Sequence, residues 1–451
     1  MVFLDSRENN CQKIPALSTQ AEEACKDSDQ MLWEEHAVDH TRPGDKPIMT
    51  ASPRASTEAV RHQNNGLVLE ALRRDGPLAH TDLSTATGLS SATVSAITAH
   101  LEKNGLLARR EVVNPGQRGR PRALFVRKRD AAHVIAVRIS SHAVQYSLAD
   151  YRGTMIDRFE EPRDQGPQSP AAFLAAFRAA LVRLVSRSRL AISDISTISI
   201  SSKGLADREG AKLLWSPIFG YESLDFEQAL SDFGTARIHL FNESLLVTHA
   251  LVLRLEKSRQ QPVQSLATLS LGHSIGLGVA LRDRHGHLEV RAPNFGHMLH
   301  SDDGKRCRCG AYGCIEASAG FYGILRTAFE VPPDTIPATF VPLSEMEKIA
   351  ARARQGHRAS EYAFRQAGLA LGQGLSRMLS LAEETMPIAI TGPGTRFMDL
   401  LTRGLDEGLA QSQHVRVRGA PDILIITEEE TLVFEGHVDR SLSEIDMALG
   451  G

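Results

Sequence analysis

Three of the five cysteines of this 451-residue chain lie within eight positions, in the run Cys307-Arg308-Cys309-Gly310-Ala311-Tyr312-Gly313-Cys314. Two histidines, His297 and His300, stand a few residues upstream. Three thiolates and one imidazole make the ligand set of a closed, tetrahedral structural Zn²⁺ site. The glycines allow turns tight enough for the sulfurs to converge. The spacing therefore predicts a zinc-binding loop, and the alternative is a group of buried or redox-active thiols.

Length and composition restrict the class of protein. A chain of this length is expected to form more than one domain, and its 42% hydrophobic residues suffice for real cores. A net charge of −3 and a pI near 6.6 exclude a uniformly basic protein, so nucleic-acid binding requires a local basic patch. No signal-like N-terminus and no apolar run of about 18 residues is present, which predicts no membrane segment. The cysteine usage suits a reducing compartment, and we expect a cytoplasmic protein.

Residues 1–57 are polar and predicted to be a disordered tail. Helical periodicity begins at Glu58 and stops at Asp75-Gly76-Pro77; a short helix over 81–87, a glycine turn and a helix over 92–104 follow. Two strand-like runs then flank the basic turn 117–122. This order predicts a winged helix-turn-helix over residues 58–129, with an adaptor or dimerisation bundle as the alternative.

The third helix presents small, polar residues outward, which allows a close approach to base edges, and arginines at the hairpin tip suit phosphate or narrow-groove contacts. Further basic residues flank the hairpin at positions 109, 110 and 127–129. The predicted DNA contacts are Ser90, Ser91, Thr93, Ser95, Arg118, Arg120 and Arg122.

From residue 130 to residue 451 the pattern alternates strands, hairpins and helices, which indicates two α/β lobes around a cleft. No simple internal repeat is visible, although the two lobes are expected to be topological relatives.

Three stretches resemble the ROK family, which groups sugar kinases with sugar-responsive repressors. They are Asn294-Phe295-Gly296-His297 with the cysteine run ending at Glu316, the block Gly88 to Ser95, and Gly119-Arg120-Pro121. The resemblance implies an actin-like, ribonuclease-H-like fold for 130–451 and a winged helix-turn-helix found in ROK repressors but not in ROK kinases. It also implies a zinc loop over 297–316 with His297, Cys307, Cys309 and Cys314 as ligands. The implied partners are a double-stranded DNA operator, a sugar or sugar-derivative effector, and a second or further copies in a homodimer or homotetramer.

The phosphate loops expected from this resemblance are degenerate. Arg138 stands where the family has a metal-side carboxylate, His273 enters the second glycine loop, and the Gly-Gly turn on the adenosine side reads Gly392-Pro393-Gly394. Glu243 replaces the family's general-base aspartate, and its extra methylene displaces the carboxylate by about an ångström. We therefore predict that the chain is not an enzyme.

The resemblance carries five ligand-binding positions over to this chain, namely Asn242, Glu243, Asn294, His297 and Glu316. Two sugar-binding positions depart from the family, since Ile218 replaces an asparagine and Asn294 a glutamate. Asn242 has an alternative role as a helix cap, and Glu316 as a group supporting the metal ligands. The predicted function is a sugar-responsive repressor of carbohydrate uptake or catabolism genes. The alternatives are an active sugar kinase with an extra domain, or a DNA-binding protein whose ROK domain only oligomerises.

Overall fold

The computed structural model describes residues 57–112, 122–163, 169–207, 210–382 and 385–449. The predicted disordered tail, except Thr57, lies outside these residues. The tip of the predicted wing, with Arg118 and Arg120, also lies outside them, and Arg122 is described only as the first backbone position of a strand.

The N-terminal part has the predicted order of helix, short helix, turn, helix and hairpin. Its elements are α1 (Thr57–Asp75), α2 (His80–Thr87), α3 (Ser91–Lys103), β1 (Leu107–Val112) and β2 (Arg122–Arg127). Gly88 ends α2 in the left-handed conformation that glycine adopts most readily, with φ of 69°. Ser90 caps α3, because its Oγ accepts from the Thr93 N–H at 3.2 Å. The strands β1 and β2 pair antiparallel.

The first lobe is built on a five-stranded sheet of order β10-β6-β3-β4-β5. Strands β3 to β5 form an antiparallel meander, and β6 and β10 lie parallel to β3. A small three-stranded sheet, β7-β8-β9, lies beside it. The elements are β3 (His133–Ile139), β4 (Ala143–Asp150), β5 (Met155–Pro162), α4 (Pro170–Arg187), β6 (Ile195–Ser202), β7 (Leu205–Ala206), β8 (Lys212–Trp215), β9 (Leu224–Asp225), α5 (Phe226–Ala229) and β10 (Arg237–Asn242).

The second lobe repeats this topology. Its sheet has the order β13-β12-β11-β14-β15, with an antiparallel meander of the first three strands and two further strands parallel to β11. The expectation of topologically related lobes is confirmed. The elements are α6 (Glu243–Arg259), β11 (Ser265–Ser270), β12 (Gly276–Arg282), β13 (Leu288–Arg291), α7 (Ile315–Ala319), α8 (Phe321–Ala328), α9 (Leu343–Arg354), α10 (Arg358–Leu381), β14 (Ile388–Thr391), α11 (Met398–Leu409), α12 (Gln413–Arg418), β15 (Ile423–Ile425) and α13 (Glu429–Leu449).

The last helix, α13, joins the lobes to the DNA-binding part, and the sequence pattern did not single it out. One hydrophobic cluster contains Leu101 and Phe125 of the winged helix, Tyr151 of the first lobe, and Val438 and Leu442 of α13. The winged helix therefore shares its core with the lobes. In the part of the chain that the structure describes, every helix is too short or too polar to cross a lipid bilayer.

Candidate functional site

The zinc loop brings its four predicted ligands together. Four donor atoms lie within 4.8 Å of one another: one ring nitrogen of His297 and the sulfurs of Cys307, Cys309 and Cys314. Gly313 has a φ of 74°, and a Cβ at this position would lie 1.7 Å from the carbonyl oxygen of Ser301, so only glycine fits this turn. The conformation that folds the sulfurs inward is thus set by the glycine that the sequence pattern singled out.

The distances fit a tetrahedral zinc ion. The Sγ atoms of Cys309 and Cys314 are 3.7 Å apart, and Cys307 Sγ lies 3.4 Å from His297 Nδ1. Zinc–ligand bonds of tetrahedral geometry would separate two sulfurs by about 3.8 Å and a sulfur from a nitrogen by about 3.6 Å. Hydrogen bonding to Cys307 and Cys309 raises the pKa of the Cys314 thiol above its ordinary value. The four side chains offer the three sulfur donors and one nitrogen donor that a structural Zn²⁺ binds, and their spacing fits such an ion.

The rival ligand His300 lies elsewhere. Its Nδ1 is 3.3 Å from Arg377 Nη1, and it is outside the group of converging ligands. With Nδ1 of His297 on the sulfur side, Nε2 is the ring nitrogen that remains for a hydroxyl. The indole of Trp215 packs edge-on against this imidazole at 4.8 Å.

Behind the metal ligands, Glu316 is fully buried and held by this chain's own groups. Its Oε1 accepts from Arg308 Nη2 at 3.1 Å and from the Tyr322 hydroxyl at 3.4 Å, and its Oε2 accepts from the Ile275 N–H at 3.2 Å. Arg308 also donates to the carbonyl oxygen of His273. These contacts tie the loop that carries the cysteines to the glycine turn after β11.

The cleft between the lobes contains an ion pair where the family resemblance places phosphates and metal. Arg138, at the end of β3, donates from Nε to Glu243 Oε2 at 2.8 Å and from Nη2 to Glu243 Oε1 at 3.1 Å. Burial alone would raise the pKa of Glu243, but the charges of Arg138 and Lys203 and the hydrogen bond from Arg138 lower it to about 2. Glu243 is therefore an ionised, guanidinium-bound carboxylate at neutral pH. A carboxylate held in this way is a poor general base.

Imidazole and phenyl rings lie at the turns that correspond to the family's phosphate loops. His273 stacks on Phe340 with ring centroids 4.7 Å apart, and the ring of His142, from the β3–β4 turn, lies 6.2 Å from that of Phe340. Burial, with the nearby charges of Lys203 and Arg308, lowers the pKa of His273 to about 3, so this ring is neutral. Phosphate binding at such turns requires the phosphate to come close to the backbone N–H groups, and these bulky rings occupy that space.

The remaining ligand candidates have different surroundings. Asn242 caps α6, because its Oδ1 accepts from the Ser244 N–H at 3.0 Å, and its Nδ2 donates to the Gly204 carbonyl at 3.0 Å. The capping role is confirmed. Asn294 is exposed just before the turn that carries His297, and Ile218 lines the cleft beside Glu243.

On the DNA-binding part, α3 presents the predicted face. Ser91, Ala92, Ser95 and Ala99 are exposed, whereas Val94, Ile97 and Leu101 are buried. Thr93 is half-buried, and its hydroxyl lies 2.8 Å from that of Ser90, so these two residues hold the start of the helix. Of the predicted contacts on α3, Ser91 and Ser95 are therefore the most accessible to DNA.

One part of the predicted basic patch is wrong. Arg127 is only 4% exposed, because it turns inward and donates from Nη2 to Asp446 Oδ1 of α13 at 2.7 Å. Arg129 pairs with buried Asp150 at 2.5 Å but remains at the surface, with 59% of its side chain exposed. A tertiary partner, and not the position in the hairpin, decides the direction of Arg127.

Sequence reasoning also missed the acidic start of α13. Glu429 is buried and accepts from Ser270 Oγ at 2.5 Å and from Thr391 Oγ1 at 3.0 Å, and Glu430 lies 3.3 Å from Arg138. The run Glu428-Glu429-Glu430 was the only signal, and charge runs are usually solvated.

Comparison with known proteins places the chain in a family. A model described as the ROK family matches residues 134–404, and one described as winged helix-turn-helix DNA-binding matches residues 62–108. Over 276 residues the chain is 23% identical to the DNA-binding transcriptional repressor Mlc of Escherichia coli (strain K12), covering 60% of this chain and 66% of Mlc. Over 276 residues it is 22% identical to the xylose repressor of Bacillus subtilis (strain 168), covering 59% of this chain and 68% of that protein. The matched region thus spans only about two thirds of each relative's length.

Among solved structures, a ROK family transcriptional regulator, a homologue of the E. coli Mlc protein, aligns with a TM-score of 0.65 at 21% identity. The alignment covers 87% of this chain and 98% of that one, and at this identity it shows the shared fold. Because the family model matches more than half of the residues, the chain belongs to the ROK family and carries a winged helix-turn-helix DNA-binding module ahead of its ROK domain.

Proposed function

We propose that this protein is a sugar-responsive transcriptional regulator, a repressor of carbohydrate uptake or catabolism genes, whose ROK domain binds an effector without phosphorylating it. The observation that carries the proposal is the combination, on one chain, of a winged helix with a cleft in which Arg138 holds Glu243. The first supplies DNA binding, and the second removes the free base and the metal-side carboxylate that phosphoryl transfer needs. The names of the repressor relatives support the same reading.

The DNA-binding surface in this proposal is α3 together with the basic hairpin. Ser91 and Ser95 contact base edges, Ser90 and Thr93 position the helix, and the arginines 118, 120 and 122 contact phosphates or the minor groove. A homodimer or homotetramer reads two half-sites separated by about 34 Å or a multiple of it.

The effector site in this proposal is the cleft, with Asn242, Asn294 and His297 Nε2 facing the ligand and Glu243 and Glu316 fixed behind them. The zinc ion holds the loop that carries His297. Effector and operator affinities are then linked by typically about 1–3 kcal/mol.

Helix α13 provides a physical connection for that linkage. Its first turn places Glu429 and Glu430 in the cleft beside Arg138, and Asp446, near its end, binds Arg73 of α1 and Arg127 of β2. A ligand that closes the lobes displaces one end of a single helix whose other end holds the winged helix, and so changes the spacing of the DNA-binding modules in the oligomer.

The test begins with selection of genomic fragments by the full-length protein, followed by gel shifts at fixed salt with and without sugars. We expect retention of fragments that lie beside carbohydrate genes and release by one sugar. Failure to retain duplex DNA at low salt refutes the proposal. An ADP-release assay over a hexose panel tests the kinase alternative, for which sustained turnover is the required result.

A second candidate, a DNA-binding protein whose ROK domain only oligomerises, is favoured by Ile218 in the cleft and by the internal pairing of Glu243 and Glu316. Thermal-shift screening separates the two, because a ligand at 100 times its Kd adds about 2.7 kcal/mol to the free energy of unfolding.

A further inference from the structure

The cleft contains a cavity of about 480 Å³, which is lined by Ile218 and Glu243 and by the turns at Gly272 and Gly392. Glu243 is the residue of the proposed effector site that lines this cavity, and a phosphate on a sugar bound beside Glu243 would meet the other charged side chains of the lining. The charges that line it therefore decide which form of a sugar can enter.

The cations in the cavity already have anionic partners. Arg138 contacts three carboxylates, with both oxygens of Glu243, Glu430 at 3.3 Å and Glu429 at 3.6 Å. Lys203 Nζ lies 3.8 Å from Glu243 and 3.4 Å from Ser270 Oγ. The floor of the cavity thus carries more carboxylates than cations.

At the rim, Arg396 pairs with Glu347 at 3.0 Å. The nearby imidazole of His273 is neutral and stacked on Phe340. Among the described residues that line the cavity, Lys203 is the one lysine or arginine without a carboxylate within 3.5 Å.

A phosphate dianion cannot take Arg138 without displacing a buried carboxylate. Glu243 and Glu429 are only 2% and 5% exposed, and Glu429 is also held by Ser270 and Thr391. Displacement would leave a buried carboxylate without its cation. The free-energy cost of that unpaired charge is far larger than the gain from the exposed ion pair that a phosphate usually forms. A phosphate that binds without breaking these ion pairs would instead lie against the negative charge of Glu430.

Uncharged hydroxyl groups meet no such barrier. They donate to carboxylate oxygens and accept from Lys203 without disturbing the ion pairs. Given the proposed effector function, on which this inference rests, we propose that the cleft selects an uncharged sugar and excludes the phosphorylated form of the same sugar.

The test compares matched pairs of probes on the full-length protein by thermal shift and titration calorimetry. The pairs are glucose with glucose 6-phosphate and N-acetylglucosamine with its 6-phosphate, and xylose is an additional uncharged probe. We expect an uncharged sugar to bind and its phosphate to bind more weakly by on the order of 100-fold. Equal or tighter binding of a phosphorylated sugar overturns the inference, and leaves the proposed function standing if that sugar releases DNA.

Charge reversal at Glu430 supplies the second arm, because this side chain is 57% exposed and its replacement does not bury a new group. Glu430→Lys should raise the ratio of phosphate affinity to sugar affinity at least about tenfold, and Glu430→Gln should move it in the same direction. The matched control is Glu428→Lys, since Glu428 pairs with Arg254 at 2.8 Å and does not line the cavity.

An unchanged ratio in Glu430→Lys, or an equal change in Glu428→Lys, overturns the charge argument. If neither form of any probe binds while DNA is still retained, the effector part of the proposed function is refuted, and this inference falls with it.

Discussion

Asp446→Asn is expected to loosen the attachment of the winged helix. Asp446 is 2% exposed and accepts from Arg127 Nη2 at 2.7 Å, from Arg73 Nη1 at 2.7 Å and from the Tyr151 hydroxyl at 2.6 Å. Arg73 keeps a second carboxylate, Asp439, at 2.9 Å. Arg127 keeps none, and its Nε and Nη1 have no hydrogen-bond partner within the described residues.

The magnitude follows from this difference. Removing one partner of a buried ion pair typically costs 3–5 kcal/mol, because the other charge is left buried and unpaired. The asparagine oxygen still accepts one hydrogen bond, which places the expected loss near the lower end, at about 3 kcal/mol. Because the lost contacts join α13 to α1 and β2, opening of the winged helix should precede global unfolding.

Urea denaturation measures the loss in the free energy of unfolding, and hydrogen exchange shows whether α1 and β2 lose protection first. The control is Asp399→Asn at the exposed pair with Arg354, where the side chains are 52% and 45% exposed and the expected loss is below about 1 kcal/mol. The double replacement Asp446→Leu with Arg127→Met removes both charges and should cost less than Asp446→Asn alone. A loss below 1 kcal/mol for Asp446→Asn, or a double variant less stable than the single one, would refute the reasoning.

Three further predictions concern the zinc loop, the DNA-binding face and the cleft. Cys309→Ser should release one zinc per chain in a colorimetric metal assay and weaken the response to sugar; unchanged operator binding and inducer response after zinc loss would show that the metal is not coupled to the cleft. Ser95→Glu should weaken operator binding at least about tenfold in gel shifts while leaving the urea midpoint unchanged, because a carboxylate would face the phosphates; normal affinity would remove α3 from the interface. The depressed pKa of Glu243 means that its pairing stabilises the fold fully above pH 4.5 and is lost as the pH falls towards about 2. Within that window the free energy of unfolding should depend on pH by about 1.4 kcal/mol per unit more in the wild type than in Glu243→Gln, and equal slopes would contradict the assignment.

Local signals in the sequence were enough for the elements whose conformation is set by near neighbours. The winged-helix order, the turn at Gly88 and the cap at Ser90 depend on a few adjacent residues, and the structure confirms them. The zinc loop belongs to the same class, since the glycines at 310 and 313 and three cysteines within eight positions leave little freedom in how the sulfurs converge.

The tertiary structure alone decided the partners of the charged residues. Arg127 looked like part of a basic wing, yet Asp446, which lies 319 residues away in sequence, draws it into the core. Arg138 was visible as a departure from a phosphate loop, but its carboxylate partners come from the starts of α6 and α13. An ion pair has no periodicity and no fixed sequence separation, so its members can be recognised only when the fold has brought them together.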